Sequence, residues 1–157
     1  MALKFSLETL GEFEKLVAEY PVPEAALVPV LALAQREFGT LSPEAIAYVS
    51  DLMKLPRARV YGTATFYSML NLKPMGKHHI QICRTLPCAL MGSERILGHL
   101  EKRLAIKPGH TTADGKFTLS EVECLASCGT APMMQLDDDY CENLTEEKID
   151  HLLSELR

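Results

Sequence analysis

Two close pairs of cysteines are the residues of this chain with the clearest capacity for chemistry. Cys83 and Cys88 form the first pair, and Cys124 and Cys128 form the second. Thiolate sulfur is the preferred ligand of structural zinc and of iron–sulfur clusters. If the fold brings the two segments together, four thiolates can hold a tetrahedral metal ion or a cluster.

The spacing within the pairs narrows the possible chemistry without settling it. Four residues separate the first pair and three separate the second, so the C-x-x-C of a thioredoxin-type dithiol and the C-x4-C-x2-C of plant-type ferredoxins are both absent. Structural zinc sites use similar knuckles. Small residues lie between and after the cysteines of the second pair, which lets backbone N–H groups approach cluster sulfur. Spacing alone favours an iron–sulfur cluster slightly over zinc, and both remain open.

Composition excludes several other classes of function. The chain has 157 residues, 47% hydrophobic and 24% charged, with a net charge of −5, so no basic face for nucleic acid is expected. Neither a G-x-G-x-x-G nor a Walker sequence occurs, so we do not expect the chain to bind a dinucleotide itself. The N-terminus lacks a signal-peptide pattern, and we expect an intracellular protein with reduced thiols and no direct membrane insertion.

The elements that must position the cysteines divide at a Pro- and Gly-containing linker. Before it, helical spacing predicts a helix capped by Ser6, one from Glu24 to Phe38 kinked at Pro29, one starting at 42–44 with Ser42 as its cap, and one reaching Leu70. After it, the pattern predicts strands over 78–83 and 117–124, a hairpin turning at 137–139, a helix capped by Ser93 and a last helix starting at 145–147. The fold class is therefore α+β, with residues 1–72 helical and 73–157 a β-α-β-β-α unit.

Each cysteine pair follows the end of a predicted strand. In this interpretation Cys83 and Cys124 close the two strands, and Cys88 and Cys128 lie in the loops beyond them. If these strands are neighbours in one sheet, all four sulfurs meet at one edge.

The cysteine segments resemble a known family. Residues 83–88 (CRTLPC) and 124–128 (CLASC), with Ala131-Pro132 following, are similar to the thioredoxin-like [2Fe–2S] ferredoxins. Residues 39–44, 60–67 and 109–115 extend the resemblance over nearly the whole chain. Within this family the chain is most similar to the subunits found in bacterial NADH:quinone oxidoreductase, respiratory complex I.

The resemblance implies a helical bundle over 1–72 followed by a thioredoxin-like [2Fe–2S] domain over 73–157. It implies that Cys83 and Cys88 hold one iron of a single cluster while Cys124 and Cys128 hold the other. FMN and NADH would belong only to a flavin-binding partner subunit, with an adjacent iron–sulfur subunit as a second partner. The chain would then act within an NADH dehydrogenase, without a catalytic residue of its own, on the cytoplasmic side of the membrane.

Two other assignments remain open from the sequence. One is the matching small subunit of an NAD-linked hydrogenase or formate dehydrogenase, and the other is a zinc-stapled interaction module. Among the remaining residues, we expect the fifth cysteine, Cys141, to pack as a small apolar side chain. Because Arg84 adjoins the first ligand, we expect Arg84→Ala to lower the midpoint potential of a cluster.

Overall fold

The computed structural model describes residues 3–156 and divides the chain into two compact units, Met1–Pro74 and Met75–Arg157. Each unit has a buried apolar cluster of its own. Within residues 3–156, no helix combines the length and the apolar character that crossing a bilayer requires.

The described part of the first unit, residues 3–74, contains four α-helices: α1 (Leu7–Ala18), α2 (Leu27–Phe38), α3 (Pro43–Met53) and α4 (Arg57–Phe66). The predicted caps are confirmed. Ser6 accepts a hydrogen bond from the backbone N–H of Thr9, and Ser42 accepts one from that of Ala45, each at 3.2 Å. Gly39 ends α2 with a φ of 77°, the left-handed conformation that glycine adopts at helix ends.

Two helix boundaries in the first unit were predicted wrongly. The segment from Glu24 begins as a 3-10 turn, Pro23–Ala26, and α2 starts only at Leu27. Pro29 therefore lies in the first turn of α2, where a missing N–H breaks no intrahelical bond, rather than in a helix interior. The fourth helix stops at Phe66 instead of reaching Leu70.

Over residues 75–156, which the structure describes, the second unit is a five-stranded sheet with helices. Its strands are β1 (His78–Cys83), β2 (His110–Thr111), β3 (Phe117–Val122), β4 (Met134–Leu136) and β5 (Asp139–Cys141), in the order β2-β3-β1-β4-β5. Strands β1 and β3 are parallel, and the other neighbours are antiparallel. The helices are α5 (Leu86–Leu90), α6 (Ser93–Leu104) and α7 (Glu146–Glu155).

The central strand owes its place to its sequence. Ile80 and Ile82 of β1 are fully buried and pack with Leu119 of β3 and Ile96 of α6. β-Branched residues at alternate positions suit a buried central strand. The expectation that the strands preceding the two cysteine pairs are neighbours is confirmed, because Cys83 lies opposite Val122 in the β1–β3 register.

Short elements of this unit were not predicted from the sequence. Strand β2 has only two residues, and α5 only five, which leaves too little periodicity to detect. Cys88 consequently lies in α5 rather than in a loop, and Cys124 lies two residues beyond the end of β3 rather than closing it. Helix α6 is preceded by Gly92 with a φ of 92°, so Ser93 is its first residue and not its cap.

Candidate metal centre

The parallel pairing of β1 and β3 brings the two cysteine segments to one edge of the sheet. Cys83 is the last residue of β1, and Cys88 follows in α5. Both are buried, with 2% of their surface exposed. Cys124 lies in the loop after β3, and Cys128 begins the 3-10 turn Cys128–Thr130. These two are exposed, so the centre has one buried pair and one open pair.

The four sulfur atoms lie in one small region. The Sγ atoms of Cys124 and Cys128 are 3.7 Å apart. Cys83 and Cys88 belong to one buried cluster, and Cys124 and Cys128 follow the strand that neighbours β1. All four thiols are free. The structure therefore places the two predicted pairs at adjoining strand ends.

One thiol of each pair is held toward its thiolate form by hydrogen-bond donors. Burial works to raise the pKa of Cys83, but donors from Thr85 and from the backbone of Leu125 outweigh it, so this pKa lies below its ordinary value. The Thr85 hydroxyl is 3.3 Å from Cys83 Sγ. The N–H of Ala126, 3.3 Å from Cys124 Sγ, is the main cause of the lowered pKa of Cys124. Donors to sulfur favour the charged form.

The second thiol of each pair shifts the other way. Burial raises the pKa of Cys88, although the backbone of Met133 opposes this shift. The hydrogen bond between Cys128 and Cys124 raises the pKa of Cys128. A bound metal ion deprotonates coordinating thiols outright, so these two positions remain suitable ligands.

Hydrogen bonds from the β5 side brace the exposed cysteine loop. The Glu142 carboxylate accepts from the hydroxyls of Ser127 and Thr130, the latter at 2.7 Å. The hydroxyl of Tyr140 donates to the carbonyl of Leu125 at 2.8 Å. Glu142 and Tyr140 were not predicted from the sequence, because no local motif marks a side chain that contacts a loop far along the chain.

Apolar residues cover the buried pair. Met133, Ala131 and Leu125 pack against Cys83 and Cys88, and Met133 is 1% exposed. The carbonyl of Met133 also accepts a hydrogen bond from the N–H of Cys83 at 3.2 Å. This packing shields the first pair from water.

The remaining residues considered in the sequence analysis lie in ion pairs, hydrogen bonds or apolar packing. Arg84 forms an exposed ion pair with Glu123, its Nε lying 2.9 Å from Oε1. Cys141 is half-buried against the sheet core, as expected, and burial raises the pKa of its thiol. His78 contacts Asp137, while His79 contacts Ser120.

The donor set fits a binuclear cluster. A [2Fe–2S] cluster takes four cysteine thiolates, two on each iron, and the centre supplies two pairs of them. Donors directed at Cys83 and Cys124 complement the negative charge of such a cluster.

Comparison with known families decides between the possible centres. The family model for thioredoxin-like [2Fe–2S] ferredoxins matches residues 13–157. The chain belongs to this family. The predicted family and the α+β fold, a helical N-terminal part followed by a thioredoxin-like ferredoxin domain, are thereby confirmed.

Relatives with curated names extend over nearly the whole chain. The NADH-quinone oxidoreductase E subunit of Rickettsia felis is 49% identical over 154 residues, which cover 96% of this chain and 92% of the relative. The corresponding E subunit of Rickettsia prowazekii is 48% identical over 155 residues, covering 96% and 87%.

Among solved structures, an air-oxidised NAD⁺-reducing [NiFe]-hydrogenase superimposes with a TM-score of 0.71 and 25% identity. The match covers 80% of this chain but only 22% of the hydrogenase chain. The sequence-based alternative of a hydrogenase subunit thus corresponds to a related protein.

Proposed function

We propose that this chain is the electron-transfer subunit of an NADH:quinone oxidoreductase, respiratory complex I, and carries one [2Fe–2S] cluster. The observation that carries the proposal is the meeting of two cysteine pairs at the adjoining ends of β1 and β3. It occurs in a chain that is 49% identical to a curated E subunit over 96% of its length. The chain acts as part of an NADH dehydrogenase and has no catalytic residue of its own.

In this proposal Cys83 and Cys88 bind one iron, and Cys124 and Cys128 bind the other. When bound, the cluster supplies one-electron transfer. Cys83 and Cys88 bind their iron in a pocket that is shielded from water, because apolar side chains cover them. The exposed second pair is fixed instead by the hydrogen bonds that brace its loop.

The proposed partners are the flavin- and NADH-binding subunit, which holds FMN, and the adjacent iron–sulfur subunit. Two features of the centre support a docking role. Cys124 and Cys128 are open to a partner, and the exposed apolar side chains Leu86 and Leu90 lie on the helix that carries Cys88. Large exposed apolar side chains beside a cofactor site are typical of interfaces. The complex would place this subunit on the cytoplasmic side, peripheral to the membrane.

We also propose that residues 1–72 form a helical domain and residues 73–157 the thioredoxin-like domain. The division of the chain into compact units at residues 74 and 75 supports this boundary to within a few residues.

Serine substitution tests the ligand assignment. Cys83→Ser, Cys88→Ser, Cys124→Ser and Cys128→Ser are each expected to lower the iron and acid-labile sulfide bound per chain. Cys141→Ser is the matched control and is expected to keep the full content, since Cys141 lies in β5. Normal content in any of the four variants, with an unchanged electron paramagnetic resonance (EPR) spectrum, would remove that residue from the ligand set.

A small subunit of an NAD-linked hydrogenase is the second candidate, favoured by the superposition on the hydrogenase. Affinity purification of the tagged chain from its native cells separates the two. Recovery of a flavoprotein together with quinone-reducing subunits supports the respiratory complex. Recovery of a nickel-containing subunit supports the hydrogenase.

A further inference from the structure

The hydroxyl group of Thr85 does not cap the helix that follows it. Thr85 is the residue before α5, and its carbonyl accepts the N–H of Ala89 at 2.9 Å. Its side chain makes no capping hydrogen bond to the helix, although threonine commonly caps in this position. The side chain is half-buried.

The hydroxyl instead contacts a cysteine. Thr85 Oγ1 lies 3.3 Å from Cys83 Sγ. Cys83 is buried, so this contact lies in the part of the centre that is shielded from water.

We propose that Thr85 is a positioning residue that raises the reduction potential of the centre by donating its hydroxyl hydrogen to the sulfur of Cys83. The inference rests on the proposed function. When bound, the cluster would accept one electron from a reduced flavin of the partner, and no bond of Thr85 would form or break. The hydroxyl keeps its proton and stabilises the additional negative charge on the sulfur ligands.

The position of the hydroxyl distinguishes it from the charged residues nearby. Arg84 is adjacent in the chain, but its charge is paired with Glu123, and both side chains are exposed to solvent. Water screens charges in such positions. Thr85 contacts the sulfur of Cys83 directly and is less exposed than Arg84, so its dipole acts where screening is weaker.

Isosteric replacement of Thr85 in the cluster-containing protein provides the test. Thr85→Val keeps the shape and removes the donor, and Thr85→Ser keeps the donor. We expect Thr85→Val to make reduction roughly threefold to tenfold less favourable, the value of one hydrogen bond. A tenfold change corresponds to a shift of about 59 mV to lower potential for a one-electron couple. Thr85→Ser should stay near the wild-type potential.

The readouts are an EPR-monitored redox titration and the iron–sulfur stretching bands in the resonance Raman spectrum. Thr65→Val is the matched control, because the Thr65 hydroxyl bonds only backbone carbonyls of α4. Equal potentials for wild type and Thr85→Val, in proteins with the same sulfide content, would overturn the inference and leave the proposed function intact.

A variant that fails to assemble still gives an answer. If Thr85→Val binds no cluster, Thr85→Ala repeats the test with a smaller side chain. Loss of the cluster in both, with retention in Thr85→Ser, would overturn tuning in favour of a role in assembly. Failure of the proposed function looks different, since the wild-type protein itself would then lack acid-labile sulfide.

Discussion

The adjacent residues Met133 and Met134 allow the role of packing around the buried cysteine pair to be measured. Their side chains are 1% and 2% exposed, respectively. Met133 packs against Cys83 and Cys88, whereas Met134 packs into the separate apolar core of the sheet. Successive residues of an extended chain face opposite sides, which explains the difference. The pair therefore offers one substitution near the centre and one matched control.

Met133→Ala and Met134→Ala should destabilise the protein by similar amounts, about 2–5 kcal/mol, the usual result of truncating a buried methionine. Only Met133→Ala should also loosen the centre. If a chelator reaches Cys83 and Cys88 only when the Met133 side chain moves away, losing about 2 kcal/mol of its packing should speed iron loss roughly thirtyfold. The hydrogen bond from the Cys83 N–H to the Met133 carbonyl uses backbone atoms only, so the substitution does not remove its donor or acceptor.

Iron release is followed anaerobically through the absorbance of an added chelator, well below the unfolding temperature of each variant. Thermal unfolding by circular dichroism supplies the stability change for each protein. Met133→Leu keeps the side-chain volume and should release iron at close to the wild-type rate. Equal release rates for Met133→Ala and Met134→Ala would refute the view that this packing protects the buried pair.

Three further predictions concern charge, pH and backbone. Because Arg84 pairs with Glu123, Arg84→Ala should lower the midpoint potential of the cluster and Glu123→Gln should raise it, each by less than about 59 mV. Redox titration of both single variants and of the double variant measures these shifts. Shifts of the same sign in the two single variants would contradict the prediction. Burial lowers the pKa of His79 below 6.5, although the Asp137 carboxylate opposes this shift. Below about pH 6.5 the unfolded chain therefore binds more protons than the folded chain, and the stability of the folded protein should fall as the pH drops. Melting curves of His79→Gln should show a weaker pH dependence in that range. Gly62 lies in the interior of α4 with open space where a Cβ would lie, so Gly62→Ala should stabilise the folded protein by about 0.5–1 kcal/mol. A Cβ on Gly76 would lie 2.9 Å from the Phe117 backbone, so Gly76→Ala should destabilise the folded protein. Urea unfolding of the two variants measures both changes.

Much of this architecture could be predicted because its signals are local. The caps at Ser6, Ser42 and Thr145 each need one side-chain oxygen and one N–H three residues ahead, and all three form. The apolar alternation of β1 and the helical period of α6 likewise depend on neighbours in the sequence. The two cysteine pairs were recognisable for the same reason, since each pair lies within one short segment.

Features that depend on distant segments could not be predicted. Helix α5 is five residues long and carries Cys88 into a buried position, which its sequence alone does not indicate. Glu142 contacts the exposed cysteine loop only because the hairpin folds back toward it. The ion pair of Arg84 with Glu123 also arises from strand pairing, because each residue follows one of the two parallel strands. Because of this ion pair, Arg84 acts on the potential of the cluster as one member of a charge pair, and not as the lone positive charge that the sequence suggested.

The central claim is that Cys83, Cys88, Cys124 and Cys128 together hold a binuclear iron centre. Iron, zinc and acid-labile sulfide analysis of the full chain, produced anaerobically with iron and sulfide supplied, tests it most directly. We expect about two irons and two sulfides per chain, with an EPR signal that appears on reduction by dithionite. One zinc per chain without labile sulfide, in a colourless protein, would contradict the claim.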